Sequence, residues 1–342
     1  MERFLKSRYR TGDKISDNPF CATYQGFFVG TNKPVVIKIY KRGTLNSTLI
    51  NRMKQKVRDF SLISNDNIVK MIDGDYGWQG FYYVREFVDG QSLKQLLDSG
   101  KEVGVEQAAD IAEEVCGALE AAHARGIIHG GIKPSNVFID KQGIVKVADF
   151  IIEGEIKEAM PQKALMVIDD GKYFSPEELA GEPATYSSDI YAVGMLLWEM
   201  LAPKTCFKGK GMAGGLSKIR SRVVLDKNAL AQFPRYLQDI IFKALQRDPA
   251  VRFASIADLR ESLEKKTVIE KKPAGEDFAE EFDKTVTNYD EEELATEEKE
   301  ALQEVGQTGI RWGKESHRIW FLLVLIAASF LAGLLYVFWF GQ

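Results

Sequence analysis

His129-Gly130-Gly131-Ile132-Lys133-Pro134-Ser135-Asn136 is the stretch on which the reading of this chain turns. It gathers a histidine, a lysine and an asparagine around two adjacent glycines. Just before it, Ala108, Ile111, Ala112, Val115, Leu119 and Ala122 recur at helical spacing, and Gly126 stands where such a helix would end. Farther back, Val35-Val36-Ile37-Lys38-Ile39-Tyr40 and Phe81-Tyr82-Tyr83-Val84 predict strands, with a helix between them over 49–64. Downstream, 190–201 is apolar on every side and predicts a helix buried inside a large lobe. Leu237, Ile240, Ile241, Ala244 and Leu245 form another apolar face, and Ser255 with Asp258 is spaced as a capping pair. Strands first and helices after is an α+β arrangement. The quoted stretch lies where the one gives way to the other.

With 342 residues, 45% of them apolar and 27% charged, the chain has ample material for a core. Cys21, Cys116 and Cys206 lack paired spacing, which argues for reduced thiols rather than a disulfide framework or a zinc site. The three histidines show no metal-ligand spacing. The net charge of −4 hides an asymmetry. Residues 1–86 hold 15 bases and 8 acids, a surplus of +7, whereas 270–304 hold 14 acids and 4 bases, or −10. No nucleic-acid partner is expected.

From Ile319 to Phe340 no charged residue occurs. A helix of that length rises roughly 33 Å, enough to cross a hydrocarbon core. Trp320, Tyr336 and Trp339 sit near its ends, and Arg311, Lys314 and Arg318 precede it. The expectation is a single-pass, tail-anchored membrane protein with its N-terminal part on the cytoplasmic side. Ala328 with Ala332 and Ser329 with Gly333 permit close helix contact, so a homodimer through the span stands as an alternative to a plain anchor. The acidic segment before it has few large apolar groups and is expected to be a disordered spacer.

The first 266 residues resemble a eukaryotic-type Ser/Thr protein kinase domain, and the ordered set of motifs carries the resemblance. The quoted stretch has the spacing of the H-R-D-L-K-x-x-N catalytic loop. Val35-Val36-Ile37-Lys38 resembles the strand with the phosphate-pairing lysine, and Arg85-Glu86-Phe87-Val88-Asp89-Gly90 the hinge. Asp149-Phe150 opens a D-F-G-like segment, and Ser175-Pro176-Glu177 resembles the A-P-E that closes it. Asp189 and Arg252 match two further landmarks, the second pairing with Glu177 in the family. The resemblance implies a bilobal α+β fold: an N-lobe over 1–86, a C-lobe over 87–266, then a linker over 267–318 and the span over 319–340. It also implies nucleotide contacts at Lys38, Arg85, Glu86 and Phe87, metal at Asn136 and Asp149, and a structural His129 packed near Phe150.

The departures from the family pattern are concentrated in the chemistry. Gly131 stands where the catalytic aspartate belongs, although Lys133 is retained, and Gly130 replaces the phosphate-receiving arginine. The glycine-rich loop becomes Ser16-Asp17-Asn18-Pro19-Phe20-Cys21, where Pro19 lacks an N–H and Asp17 adds charge facing a triphosphate. Lys56 falls where a glutamate should meet Lys38, and would repel it. Arg85 is the gatekeeper, Ile151 replaces the D-F-G glycine, and Asp170 is expected beside Lys133. The basic helix residues Arg52, Lys54, Lys56 and Arg58 are expected to face anionic lipid or an acidic partner. The leading expectation is therefore a pseudokinase acting as a signalling scaffold or binding module. The alternatives are a weak or atypical Ser/Thr kinase using ATP and Mg, and a nucleotide sensor without transfer.

Overall fold

The computed structural model describes residues 4–5, 7–160, 164, 171–202 and 227–268. The chain divides into two units, Met1–Asn288 and Tyr289–Gln342. The second unit, and with it the expected span and most of the acidic spacer, lies outside the described residues. Among those residues, no helix is long and apolar enough to cross a membrane.

The N-lobe is built on a six-stranded antiparallel sheet. Its strands are β1 (Phe4–Leu5), β2 (Tyr9–Asp17), β3 (Cys21–Phe28), β4 (Pro34–Lys41), β5 (Met71–Gly77) and β6 (Gly80–Glu86), in the order β1-β2-β3-β4-β6-β5. β-branched Val35, Val36, Ile37 and Ile39 give β4 its strand preference, and all four are buried at the sheet centre. Register places Lys38 between Thr23 and Tyr83. Helix α1 (Ser47–Phe60) crosses the sheet, capped by Asn46, whose side chain accepts a hydrogen bond from Leu49 N at 2.8 Å. Leu49, Met53, Val57 and Phe60 recur at three- and four-residue spacing and are buried. Gly74 lets the helix approach: a Cβ there would lie 3.0 Å from Val57.

The lower lobe opens with β7 (Gly90–Ser92), α2 (Leu93–Asp98) and α3 (Val105–His123). As the sequence predicts, α3 ends before Gly126, which takes the left-handed φ of 72° that favours glycine. The catalytic-loop stretch then leads through a 3-10 turn at Pro134–Asn136 into β8 (Val137–Asp140) and β9 (Val145–Val147), which form a three-stranded sheet in the order β7-β8-β9. After these come α4 (Ile152–Ala159), α5 (Pro176–Leu179), α6 (Tyr186–Leu201), α7 (Arg235–Ala244) and α8 (Ile256–Glu264). Helix α6 is buried along nearly its whole length, as its uniform apolarity implies. Gly194 admits α7 to its flank, where a Cβ would meet Ala244 at 2.8 Å.

The Glu177–Arg252 pair forms as expected, with two bonds of 2.8 Å, and Ser255 caps α8 with Asp258. Helix α4 is among the elements that the sequence reading did not include.

Candidate functional site

The catalytic-loop stretch is fixed by its own polar groups. Gly131 N donates to His129 Nδ1 at 3.0 Å. His129 Nε2 therefore carries the proton, donated to Ala148 O at 3.1 Å. Burial lowers the His129 pKa and keeps the ring neutral. The ring packs on Phe150 with centroids 4.3 Å apart, its expected structural place. Asp189 accepts from the backbone N–H groups of His129 (2.9 Å) and Gly130 (2.8 Å). Asn136 Nδ2 donates to Gly131 O at 2.8 Å.

Helix α4 is seated directly on this loop. Gly130, at φ 66°, lies so close that a Cβ on it would be 2.6 Å from Gly154 Cα. A Cβ on Gly131 would be 2.7 Å from Glu153 Oε2. The Glu153 carboxylate thus fills the space beside position 131, and its Oε1 pairs with Lys133 Nζ at 2.7 Å. Both side chains are buried. Lys157 fastens the next turn of α4 to Glu178 at 2.7 Å. On its other side, Glu155 pairs with Arg52 and Lys56 of α1, and Glu158 pairs with Arg52 at 2.8 Å. Between Gly131, Lys133, Lys157 and Glu178 only a cavity of about 10 Å³ is left, room for about one water.

On the nucleotide side, Asp149 is held by two cations. Lys38 Nζ lies 3.3 Å from Oδ2 and Arg85 Nε 3.1 Å from Oδ1. Burial alone would raise the Asp149 pKa, but the charges of Lys38 and Arg85 outweigh it and hold the carboxyl well below the usual range. The Arg85 guanidinium lies 4.9 Å from the centre of the Phe138 ring. Glu86 is half-buried and Phe87 exposed at the lobe junction. In the 16–21 loop, Asn18 Oδ1 accepts from the N–H groups of Phe20 (2.9 Å) and Cys21 (2.7 Å). Asn18 N donates to Cys21 O at 2.9 Å. The backbone donors that would cradle phosphates are thereby engaged within the loop.

The two positions that match the family's metal pattern, Asn136 and Asp149, are both engaged within the chain. A Mg²⁺ ion at a nucleotide is usually held by one or two carboxylates together with substrate phosphates and water. Among the described residues no cluster of three or more acidic, His or Cys side chains could hold a metal, and both Asp149 oxygens already face cations.

The sequence profile described as "Protein kinase domain" matches residues 9–265. The chain belongs to the protein kinase family. It is 30% identical over 328 residues to the probable serine/threonine-protein kinase PknB of Lactococcus lactis, covering 89% of this chain and 52% of that one. It is 29% identical over 343 residues to the serine/threonine-protein kinase PrkC of Bacillus subtilis, covering 97% and 53%. A probable serine/threonine-protein kinase of Clostridium perfringens matches at 29% over 265 residues, covering 77% and 39%. This kinase-family chain spans about half the length of the curated relatives it matches, or less. Among solved structures, that of Rad53 in complex with AMP-PNP is similar in fold, with TM-score 0.59 and 20% identity, covering 73% of this chain and 63% of that one.

The kinase fold pairs Lys38 and Arg85 with Asp149 and ties Asn136 to Gly131, while Gly131 and Lys133 line a pocket with Glu153. Several local expectations change. Lys56 does not confront Lys38; it turns to Glu155. Asp17 does not present a lone charge: Lys14 at 2.7 Å and Lys41 at 2.8 Å neutralise it and lower its pKa to about 2. Of the α1 bases, Arg52, Lys54 and Lys56 form ion pairs within the folded unit, Lys54 with Asp75 at 2.6 Å. Asp170 lies outside the described residues, whereas Glu153 supplies Lys133 with a carboxylate. Glu153, Glu155 and Asn18 are the functional residues that sequence reasoning missed. The signal for the two glutamates was present as reversed charge: bases on α1, where the family has an acid, and acids at 153, 155 and 158.

Proposed function

We propose that this chain is a membrane-anchored member of the protein kinase family whose phosphotransfer is disabled, and that it works as a signalling scaffold or binding module. One observation carries the reading: α4 is seated on the catalytic loop with Glu153 beside position 131 and Gly154 against Gly130. Both losses from the H-R-D motif are what make that seating sterically possible. A positioned general base contributes about 10² to 10⁴ in rate, and here its position is glycine. Between Asp149 and Ser175 the chain has no serine or threonine, so Ser/Thr phosphorylation in that segment cannot release α4. The 16–21 loop supports the same reading, because its donors are turned inward. The anchor is residues 319–340, on the grounds of their length and apolarity.

A second reading has one observation in its favour. Glu153 places a carboxylate next to Lys133, so a weak or atypical kinase could use it as a relocated base once α4 moves. The relatives named above as Ser/Thr kinases keep that reading in view.

Radiolabelled transfer from ATP to the full-length chain and to a generic protein substrate tests both. The expected signal of the wild type equals that of Lys38→Met. Robust transfer by the wild type that Lys38→Met abolishes overturns the scaffold reading. If Glu153→Gln abolishes it too, the relocated-base reading takes its place.

A further inference from the structure

At the position that matches the family's gatekeeper, next to Asp149, this chain has placed a fixed positive charge. Arg85, the second-last residue of β6, reaches Asp149, with Nε 3.1 Å from Oδ1. Lys38 meets the other oxygen at 3.3 Å. The Arg85 side chain is only 9% exposed. It is confined by Phe138, 4.9 Å from the guanidinium carbon, and by Nη1 donating to Glu86 O at 3.4 Å. Asn136, the other expected ligand, is tied through its amide nitrogen to Gly131 O.

We propose that Arg85 stands in for the divalent metal at Asp149, so that this cleft is a metal-independent site whose own two cations would meet the anionic groups of any ligand. A charge of one sign is required at that carboxylate in a buried cleft, and it can come from solution or from the chain. Here the chain supplies it, held in place by packing. A divalent cation would have to expel a buried guanidinium from its carboxylate and would leave that guanidinium without this partner, which is costly in a low-dielectric setting. The cleft thus carries two positive groups against one carboxylate without any ion, which favours a metal-free anion over a metal complex. The inference rests on the cleft alone, not on the seating of α4: the absence of phosphotransfer would not support it.

The test is Mn²⁺ binding to the full-length chain in detergent, read by electron paramagnetic resonance and calorimetry without nucleotide. The wild type is expected to show no site with Kd below about 1 mM, and Asp149→Asn no change. Arg85→Leu and Arg85→Met, each confirmed as folded by circular dichroism, are expected to gain Mn²⁺ affinity of at least about tenfold. Arg85→Leu combined with Asp149→Asn should lose the gain. Wild-type Mn²⁺ binding below that threshold that Asp149→Asn removes overturns the proposal, and leaves the α4 block standing. So does a folded Arg85→Leu that gains nothing. If neither Arg85 variant folds, the wild-type and Asp149→Asn titrations decide the matter.

Discussion

Restoring the missing aspartate should damage this protein rather than repair it. In Gly131→Asp the new Cβ would lie 2.7 Å from Glu153 Oε2, 2.9 Å from its Cβ and 3.0 Å from its Cδ. Overpacking of this kind costs about 1–3 kcal/mol. The new carboxylate also sits beside a buried one, and two like charges about 4 Å apart repel by about 4 kcal/mol at an effective dielectric constant of 20. Relaxation and Lys133 offset part of this, which leaves a net loss of about 3–5 kcal/mol. For a domain of this size about 1 kcal/mol shifts Tm by roughly 2–4 °C, so the melting point should fall by about 10 °C. Glu153→Gly removes the obstacle and costs about 1 kcal/mol of helix propensity, besides the 2.7 Å partner of Lys133. The double variant returns a carboxylate to Lys133 from the family's own position. It should be more stable than either single variant, with a coupling energy of at least about 2 kcal/mol in the cycle. Thermal denaturation of the full-length chain and its three variants is the assay. A Gly131→Asp variant melting within about 2 °C of wild type, or strict additivity in the cycle, would refute the argument that Glu153 and position 131 compete for one space.

Arg252→Ala should cost about 3–5 kcal/mol, because it strands the half-buried Glu177 carboxylate and removes both 2.8 Å bonds; chemical denaturation reads this, and a loss below about 1 kcal/mol would place the pair among surface pairs. His129 sets a pH dependence. Its folded pKa is depressed below 6.5 by burial, so the unfolded chain binds the proton more readily. Its contribution is complete above pH 6.5 and is lost as pH falls from there towards the folded value. The wild-type Tm should therefore fall more steeply below pH 6.5 than that of His129→Gln, and equal slopes would contradict it. Removal of residues 317–342 should shift the protein from the membrane to the soluble fraction with its melting transition kept. Retention in membranes after a high-salt wash would sink the tail-anchor proposal.

Much of the fold could be read from the chain in one dimension. The β-branched run at 35–40, the apolar spacing of α3 and the all-round apolarity of α6 each dictate an element through local propensity and burial. The Gly126 helix end, the Ser255 cap and the Glu177–Arg252 pair follow from residue types at family spacing. The absence of a carboxylate at position 131 was equally plain. What the sequence alone did not decide was where the remaining charges go. Lys56 is a misplaced base until Glu155 is brought to it from 99 residues away. Arg85 is an obstruction until its guanidinium is found at Asp149, on the far side of the cleft in sequence. Gly130 and Gly131 look like simple losses until Gly154 and Glu153 occupy their side-chain space. Periodicity encodes which face of an element is buried, because that depends on near neighbours in the chain. Ion pairs and steric vacancies depend on which distant elements meet, and only tertiary packing sets those meetings.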